Sequence, residues 1–314
     1  MPGMVIEKCY LSVYNGFTDK KRSVIKMSKL DKEWKLSQQA QEFFVYTTLG
    51  IVPKELFDNN MKAYRDYINK LLKKKDAEKD IINENDFSYK YYCTFMCARA
   101  AYNDLCRTLT YKDKYKDKKG NEKGDLKEKE SAINNVCFEL TNTIYQYYTN
   151  GCSNIDLEKL FSVFNNDGKI KEDFVLLSYL EDPEKFYFGQ VQKWVNMTLK
   201  YLYLLGLVKK EEAKELHIPI DSYILEALWY ADREIVIPKS DKKDKYDNEK
   251  YCDETFRKHR ENKNYADEKV KSWSQWNKND YDSMRKSLPE GINTNWEHKN
   301  WIRIAEKRKG IKFN

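Results

Sequence analysis

The sequence predicts a mostly α, multi-helical protein, on three observations. Apolar residues recur at spacings of three and four over several long segments, which is the period of one helix face. Strict two-residue alternation is missing except for a loose version near the N-terminus. With 314 residues, 41% hydrophobic and 34% charged, and only 11 Gly and 6 Pro, the composition is that of a folded core under a highly charged surface. That length suffices for one large domain or two ordinary ones.

Val5–Phe17 alternates loosely and reads as a strand or an irregular cap, and the charge-rich run 20–35 reads as surface. Ser37–Leu49 and Lys54–Leu72 carry helical periodicity, the second through Leu56, Met61, Tyr64, Ile68, Leu71 and Leu72, with Pro53 starting it. Tyr91–Leu109 reads as a buried helix with Phe95, Met96, Ala100 and Leu105 inward. Residues 111–129 hold two Gly and many Lys and read as a mobile loop or linker. Ser131–Tyr148 is expected to be a helix with Val136, Leu140, Ile144 and Tyr148 on one stripe, and Gly151 to break the chain. Short helices are expected over 156–164 and 172–180. Residues 239–271 read as a linker or extended helix, and Trp273, Trp276, Trp296 and Trp301 require the tail to fold back on the body. Three parts follow: 1–150, helical; 151–238, carrying the candidate site; and 239–314, a basic, Trp-containing C-terminal extension.

Charge is uneven. From Lys239 onward there are 20 Lys and Arg against 14 Asp and Glu, nearly the whole formal net charge of +7, so the last quarter is the natural place for a polyanion to touch. A solvated face accounts for the same charges, and codon bias can contribute to the Lys and Asn excess. The seven cysteines, Cys9, Cys93, Cys97, Cys106, Cys137, Cys152 and Cys252, are an odd number without a repeated short spacing. Reduced thiols and a cytoplasmic setting are expected, with Cys93, Cys97 and Cys106 as core residues on an apolar helix rather than metal ligands. No stretch has the roughly 20 apolar residues of a membrane span, so no membrane partner is expected. Asn165, Asp167, Gly168 and Ile170 imitate the middle of a calcium loop. Its first ligand position is Val163 and its twelfth Phe174, neither able to coordinate, so a turn is expected there and neither metal nor cofactor.

Chemistry concentrates in Phe186–Trp229. Phe188-Gly-Gln-Val-Gln-Lys193 places a glycine turn before a long apolar helix ending near Gly206. Positive partial charge at a helix N-terminus, with Trp194 and Met197 as apolar neighbours, favours the neutral, nucleophilic form of an amine at Lys193. The other reading is a lysine pointing to water. Pro219 and Asp221 then open an apolar helix, Asp221 serving as N-cap. The same N–H groups would keep a carboxylate ionised and aimed, fit to stabilise a developing cation or to take a proton. His217, four residues before, either enters the same pocket or is a half-buried loop residue. Only three histidines are present, without a Gly-x-Ser-x-Gly or phosphate-binding loop, which argues against the common hydrolase templates.

A glycine four residues before a lysine, a long apolar helix, then Pro-x-Asp opening another helix: over about 186–230 this block resembles the helix-hairpin-helix DNA glycosylase superfamily, its archaeal 8-oxoguanine type in particular. The resemblance implies a helix-hairpin-helix-like part at 151–238 and a base-excision enzyme acting on DNA, with RNA also possible. Lys193 would attack the sugar C1′ and Asp221 would activate it. Gly189 and Gln190 would offer N–H groups to a phosphate, and Phe188, Trp194 and Trp229 would stack on a flipped base. Gly189 is followed by Gln190 and Val191 where the usual hairpin has Gly-x-Gly, and the iron–sulfur cysteine quartet of some relatives is absent. The same residues also fit a non-enzymatic nucleic-acid-binding or phage-defence-associated helical protein, or an interaction protein of a parasite or phage.

Overall fold

The computed structural model describes residues 45–72, 81–82, 84–111, 126–149, 155–166, 169–171, 174–208, 216–231, 272–288 and 292–308. These residues are mostly helical. Chain contacts divide the protein between Asn59 and Asn60.

In the first unit, residues 45–49 are helical and α1 spans Lys54–Asn59, starting at Pro53, whose carbonyl accepts from Phe57 N–H at 3.0 Å. The single helix expected over 54–72 is interrupted at Asn60, and α2, Met61–Leu72, belongs to the second unit.

The second unit is built on two long helices, α3 (Tyr89–Leu105) and α6 (Phe188–Leu204), packed against each other. Ser88 caps α3, its hydroxyl accepting from Tyr91 N–H. The face of α3 toward the core is lined by small residues, Ala98, Ala101 and Cys97, none of them exposed. Such a face lets a large side chain from α6 approach: Trp194 is fully buried, and its Nε1–H donates to the Ala98 carbonyl at 2.9 Å. The indole thus satisfies its polar atom while burying its ring. Helices from both sides of residue 150 therefore share one core.

Helix α4 runs Leu126–Thr149 and packs on α2 and α3. It begins five residues before the expected start, so 126–129 of the expected loop are helical. Buried Lys129 places Nζ 4.2 Å from the centre of the Tyr111 ring, and Tyr111 forms a bridge to Leu180. Residues 112–125 lie outside the described set. Asp156 caps the short α5, Leu157–Phe161. At the imitation calcium loop, β1, Asn165–Asn166, pairs antiparallel with β2, Lys169–Ile170, and residues 167–168 lie outside the described set. The helix expected over 172–180 is a 3₁₀ segment, Val175–Tyr179.

Helix α6 ends in a Schellman motif. Gly206, at φ 70°, donates to the Tyr203 carbonyl and Leu207 N–H to the Leu202 carbonyl, both at 2.9 Å. Glycine suits this position because the left-handed conformation costs it nothing. An extended segment, Leu216–Asp221, returns alongside α6 into α7, Ser222–Ala231. The tail contributes a 3₁₀ turn at Trp273–Gln275, α8 (Lys278–Lys286) and α9 (Thr294–Arg308). Two tail tryptophans pack back as expected, Trp273 buried and Trp276 fully so. Trp301 is exposed and stacks on Tyr223 of α7 at 5.0 Å. Residues 232–271, which hold much of the basic extension, lie outside the described set. Among the described residues, no helix is long and apolar enough to cross a membrane.

Candidate active site

Helix α6 is apolar on nearly every side, yet it carries Gln192, Lys193, Asn196 and Lys200, all buried. A buried ammonium or amide must find a partner or destabilise the fold, and each of these does.

Lys193 meets Asp221. Nζ lies 2.5 Å from Oδ2, with the side chains only 10% and 13% exposed. The other carboxylate oxygen, Oδ1, accepts from the N–H groups of Tyr223 and Ile224, each at 3.0 Å. Asp221 is therefore the N-cap of α7 and the counter-ion of Lys193 at once. Burial pushes the Asp221 carboxyl up, but Lys193 and these two N–H groups more than offset it, and the carboxyl sits below its usual value. The Trp273 ring covers Lys193, its centre 5.7 Å from Nζ, within cation–π range.

The segment bearing Asp221 is held by two amides. Gln192 donates to the Ile220 carbonyl at 2.8 Å and accepts from Ile220 N–H at 3.2 Å, pairing with the backbone as another strand would. Asn196, one turn on, places Nδ2 within 3.0–3.2 Å of Gln192 Oε1, the Ile218 carbonyl and the Tyr281 hydroxyl. This lattice fixes the distance between α6 and Asp221.

Two turns beyond Lys193, Lys200 binds Glu297 of α9 at 2.8 Å to Oε1 and 2.6 Å to Oε2. Burial raises the Glu297 carboxyl above its usual value, Lys200 acting against this and Asp221 adding to it. The two buried ion pairs thus feel one another. The pattern offered a signal for Lys200, since two lysines seven apart on an apolar helix share a face and each needs a partner. Nothing marked Glu297 or Gln192, and Trp273 was marked only as a residue that must pack on the body.

The remaining expected site residues lie elsewhere. Phe188 is buried among Phe161 and Tyr281, with centroids at 5.0 and 5.4 Å. Trp194 is in the α3–α6 core. Gly189 N–H donates to the Trp276 carbonyl at 2.9 Å, and a Cβ at Gly189 would lie 1.8 Å from the Trp273 carbonyl oxygen. This glycine serves close packing of the tail on α6. Gln190 N–H bonds the Tyr187 carbonyl, while its side chain accepts from Tyr187 N–H at 2.8 Å and reaches Thr108. In this arrangement neither N–H is open to a phosphate, and neither Phe188 nor Trp194 is open to a base, because each completes the helix start or the core. Trp229 lies on α7, its side chain outside the described set. His217 turns Nδ1 to the Tyr281 hydroxyl at 2.8 Å and faces a cavity whose lining includes neither Lys193 nor Asp221.

Among the described residues no cluster of three His, Cys, Asp or Glu could hold a metal ion. Cys93 and Cys97 are free and buried, as expected for core thiols, whereas Cys106, expected with them, is half-buried at the end of α3; Cys137 is free and buried as well.

Fold and site define a class: a mostly α protein with a lysine–carboxylate pair buried between two helices and locked by side-chain amides. No protein family, curated protein or solved structure matches the chain.

Proposed function

We propose that the chain is a DNA glycosylase-like base-excision enzyme, with Lys193 as nucleophile and Asp221 as its acidic partner. One observation supports this above the others: the 2.5 Å contact between Nζ and an ionised carboxylate aimed by the first turn of α7. Asp221 accepts the proton that Nζ must lose. The freed lone pair attacks C1′ of a modified nucleotide, the C1′–N bond breaks, and its electron pair leaves with the base, which takes up the proton held by Asp221. The ionised Asp221 then stabilises positive charge at the sugar. The resemblance over 186–230 points to the same two residues. With Phe188, Trp194, Gly189 and Gln190 engaged internally, the base and phosphates would be held by other groups, the exposed Trp301–Tyr223 stack among them.

A second reading is favoured by the Lys200–Glu297 pair, which repeats the Lys193–Asp221 arrangement without any assigned chemistry. In it both pairs join helices of a non-enzymatic nucleic-acid-binding protein. Borohydride treatment with duplexes carrying a panel of modified bases separates the two. Base excision gives a covalent adduct that maps to Lys193 by mass spectrometry and is absent from Lys193→Gln. Salt-dependent DNA binding without base release or adduct, unchanged in a folded Lys193→Gln variant, overturns the enzymatic reading in favour of the second.

A further inference from the structure

A cavity of about 500 Å³ opens between α5 and α8, on the side of the Leu216–Asp221 segment where His217 emerges. This volume is within the range of small-molecule sites. Ile155 and Leu157 give it an apolar wall; Asp156, Glu158 and Asp282 line it as acids, Arg285 and Lys286 as bases.

The acids are largely committed. Lys278 Nζ bonds Glu158 Oε1 at 3.0 Å and both Asp282 oxygens at 2.9 and 3.2 Å. Asp156 spends one oxygen on Lys159 N–H. The donors are not committed. Arg285 is half-buried, and its guanidinium makes no hydrogen bond or ion pair with any described residue. Burial holds its pKa below the usual arginine value, acting against Tyr281, Asp282 and Glu158, so this cation gains from a further anion.

His217 adds a third donor. Burial, and then Arg285 and Lys278, push its pKa down to about 3, so the ring is neutral near pH 7. The Tyr281 hydroxyl already accepts from Asn196. It finds an acceptor for its own proton only if it donates to His217 Nδ1, which leaves the ring proton on Nε2. Nε2 has no partner among the described residues.

We propose that this cavity binds a sugar phosphate. Arg285, Lys286 and His217 Nε2–H are three donors from three side chains, which suits a tetrahedral phosphate with three terminal oxygens better than a planar carboxylate. The carboxylate oxygens not spent on Lys278 or Lys159 N–H, Glu158 Oε2 and Asp156 Oδ2, suit sugar hydroxyls, as acceptors. With Lys278 counted, the ionised side chains around the cavity sum to zero, so recognition rests on directed hydrogen bonds rather than on net field. His217 lies four residues before Asp221 on one pinned segment, which places the cavity beside the candidate active site but not within it. The inference does not depend on the reaction proposed for Lys193.

The experiment is calorimetric titration of the full-length protein with ribose 5-phosphate, inorganic phosphate and ribose. Saturable binding of ribose 5-phosphate, competed by inorganic phosphate and not reproduced by ribose, is expected. Arg285→Gln should weaken it about tenfold or more, the scale of one lost charged hydrogen bond, with circular dichroism unchanged and Arg285→Lys intermediate. A parallel titration with a short DNA strand, with and without a 5′-phosphate, shows whether the phosphate is read free or at a strand end. Absence of binding by any of these probes at about 10 mM, far weaker than millimolar affinity, overturns the proposal. So does ribose 5-phosphate affinity unchanged in Arg285→Gln.

Discussion

Asp221 answers two structural demands at once: Oδ2 lies 2.5 Å from Lys193 Nζ, and Oδ1 receives the Tyr223 and Ile224 N–H groups that start α7. A carboxylate so held has little freedom to follow the lysine if it moves, and the lysine side chain is only 10% exposed to water. The pair therefore couples α6 to the start of α7 as well as presenting a nucleophile with a proton acceptor.

That coupling is measurable by urea unfolding. Lys193→Met leaves a buried carboxylate without its counter-ion and is expected to cost about 3–5 kcal/mol, the range for breaking a buried pair. Asp221→Asn keeps the cap but strands the ammonium, with a cost of similar size. The double variant should be markedly more stable than the sum of the two losses predicts. Additive losses would show that the two groups do not interact in solution.

Gly189→Ala is expected to destabilise the protein by more than the usual ~1–3 kcal/mol of overpacking, because the new Cβ would meet backbone at Trp273, 1.8 Å from its carbonyl oxygen, rather than a side chain that can rotate. Fluorescence should report greater solvent exposure of tryptophan as the Trp273–Trp276 turn leaves α6. A melting temperature equal to wild type would place the tail elsewhere.

His217 should make the protein acid-sensitive. Its folded pKa, about 3, lies below the ordinary 6.5, so between those values the unfolded chain binds a proton that the folded one refuses. The stabilisation is present in full above about pH 6.5 and falls with pH until about pH 3, with a slope approaching ~1.4 kcal/mol per pH unit where the difference is one proton. Chemical unfolding at pH 7.5, 6, 5 and 4 should show a shallower decline in His217→Gln than in wild type. Equal slopes would exclude a neutral buried imidazole.

Cys93, Cys97 and Cys137 should resist alkylation in the native protein. Burial pushes the Cys93 and Cys137 thiols up to about 12 and Cys97 well above its ordinary value, so little thiolate forms at pH 8. Iodoacetamide followed by peptide mass spectrometry should label these three only after unfolding. Labelling at native-state rates typical of free cysteine would contradict their place in the α3–α4 core.

Helix period, glycine stops and caps are local, so much was legible in the sequence. Periodicity marked α3, α4 and α6, although α4 starts earlier than its apolar stripe, since Lys129 buries its chain against Tyr111 and the polar composition hid this. Gly206 marked a helix end because only a residue tolerant of positive φ completes that motif. Lys193 and Asp221 were visible as a pair because one sits oddly in an apolar helix and the other opens the next one.

Partners distant in sequence were not legible. Glu297 lies 97 residues from Lys200, and an ordinary acidic residue in a helix gives no hint that it will be desolvated. Gly189 read as a phosphate-gripping turn, since a glycine needed for close packing and one needed for ligand approach look alike until the neighbouring chain is placed. Phe188 and Trp194 likewise read as stacking residues and serve as core. The sequence by itself determined a mostly helical chain and the local conformation around each candidate residue, because hydrogen bonds within a few residues decide those. Only the tertiary structure decided which polar groups are buried together, because burial, and with it the strength of every charge interaction at the site, depends on what the rest of the chain brings against α6.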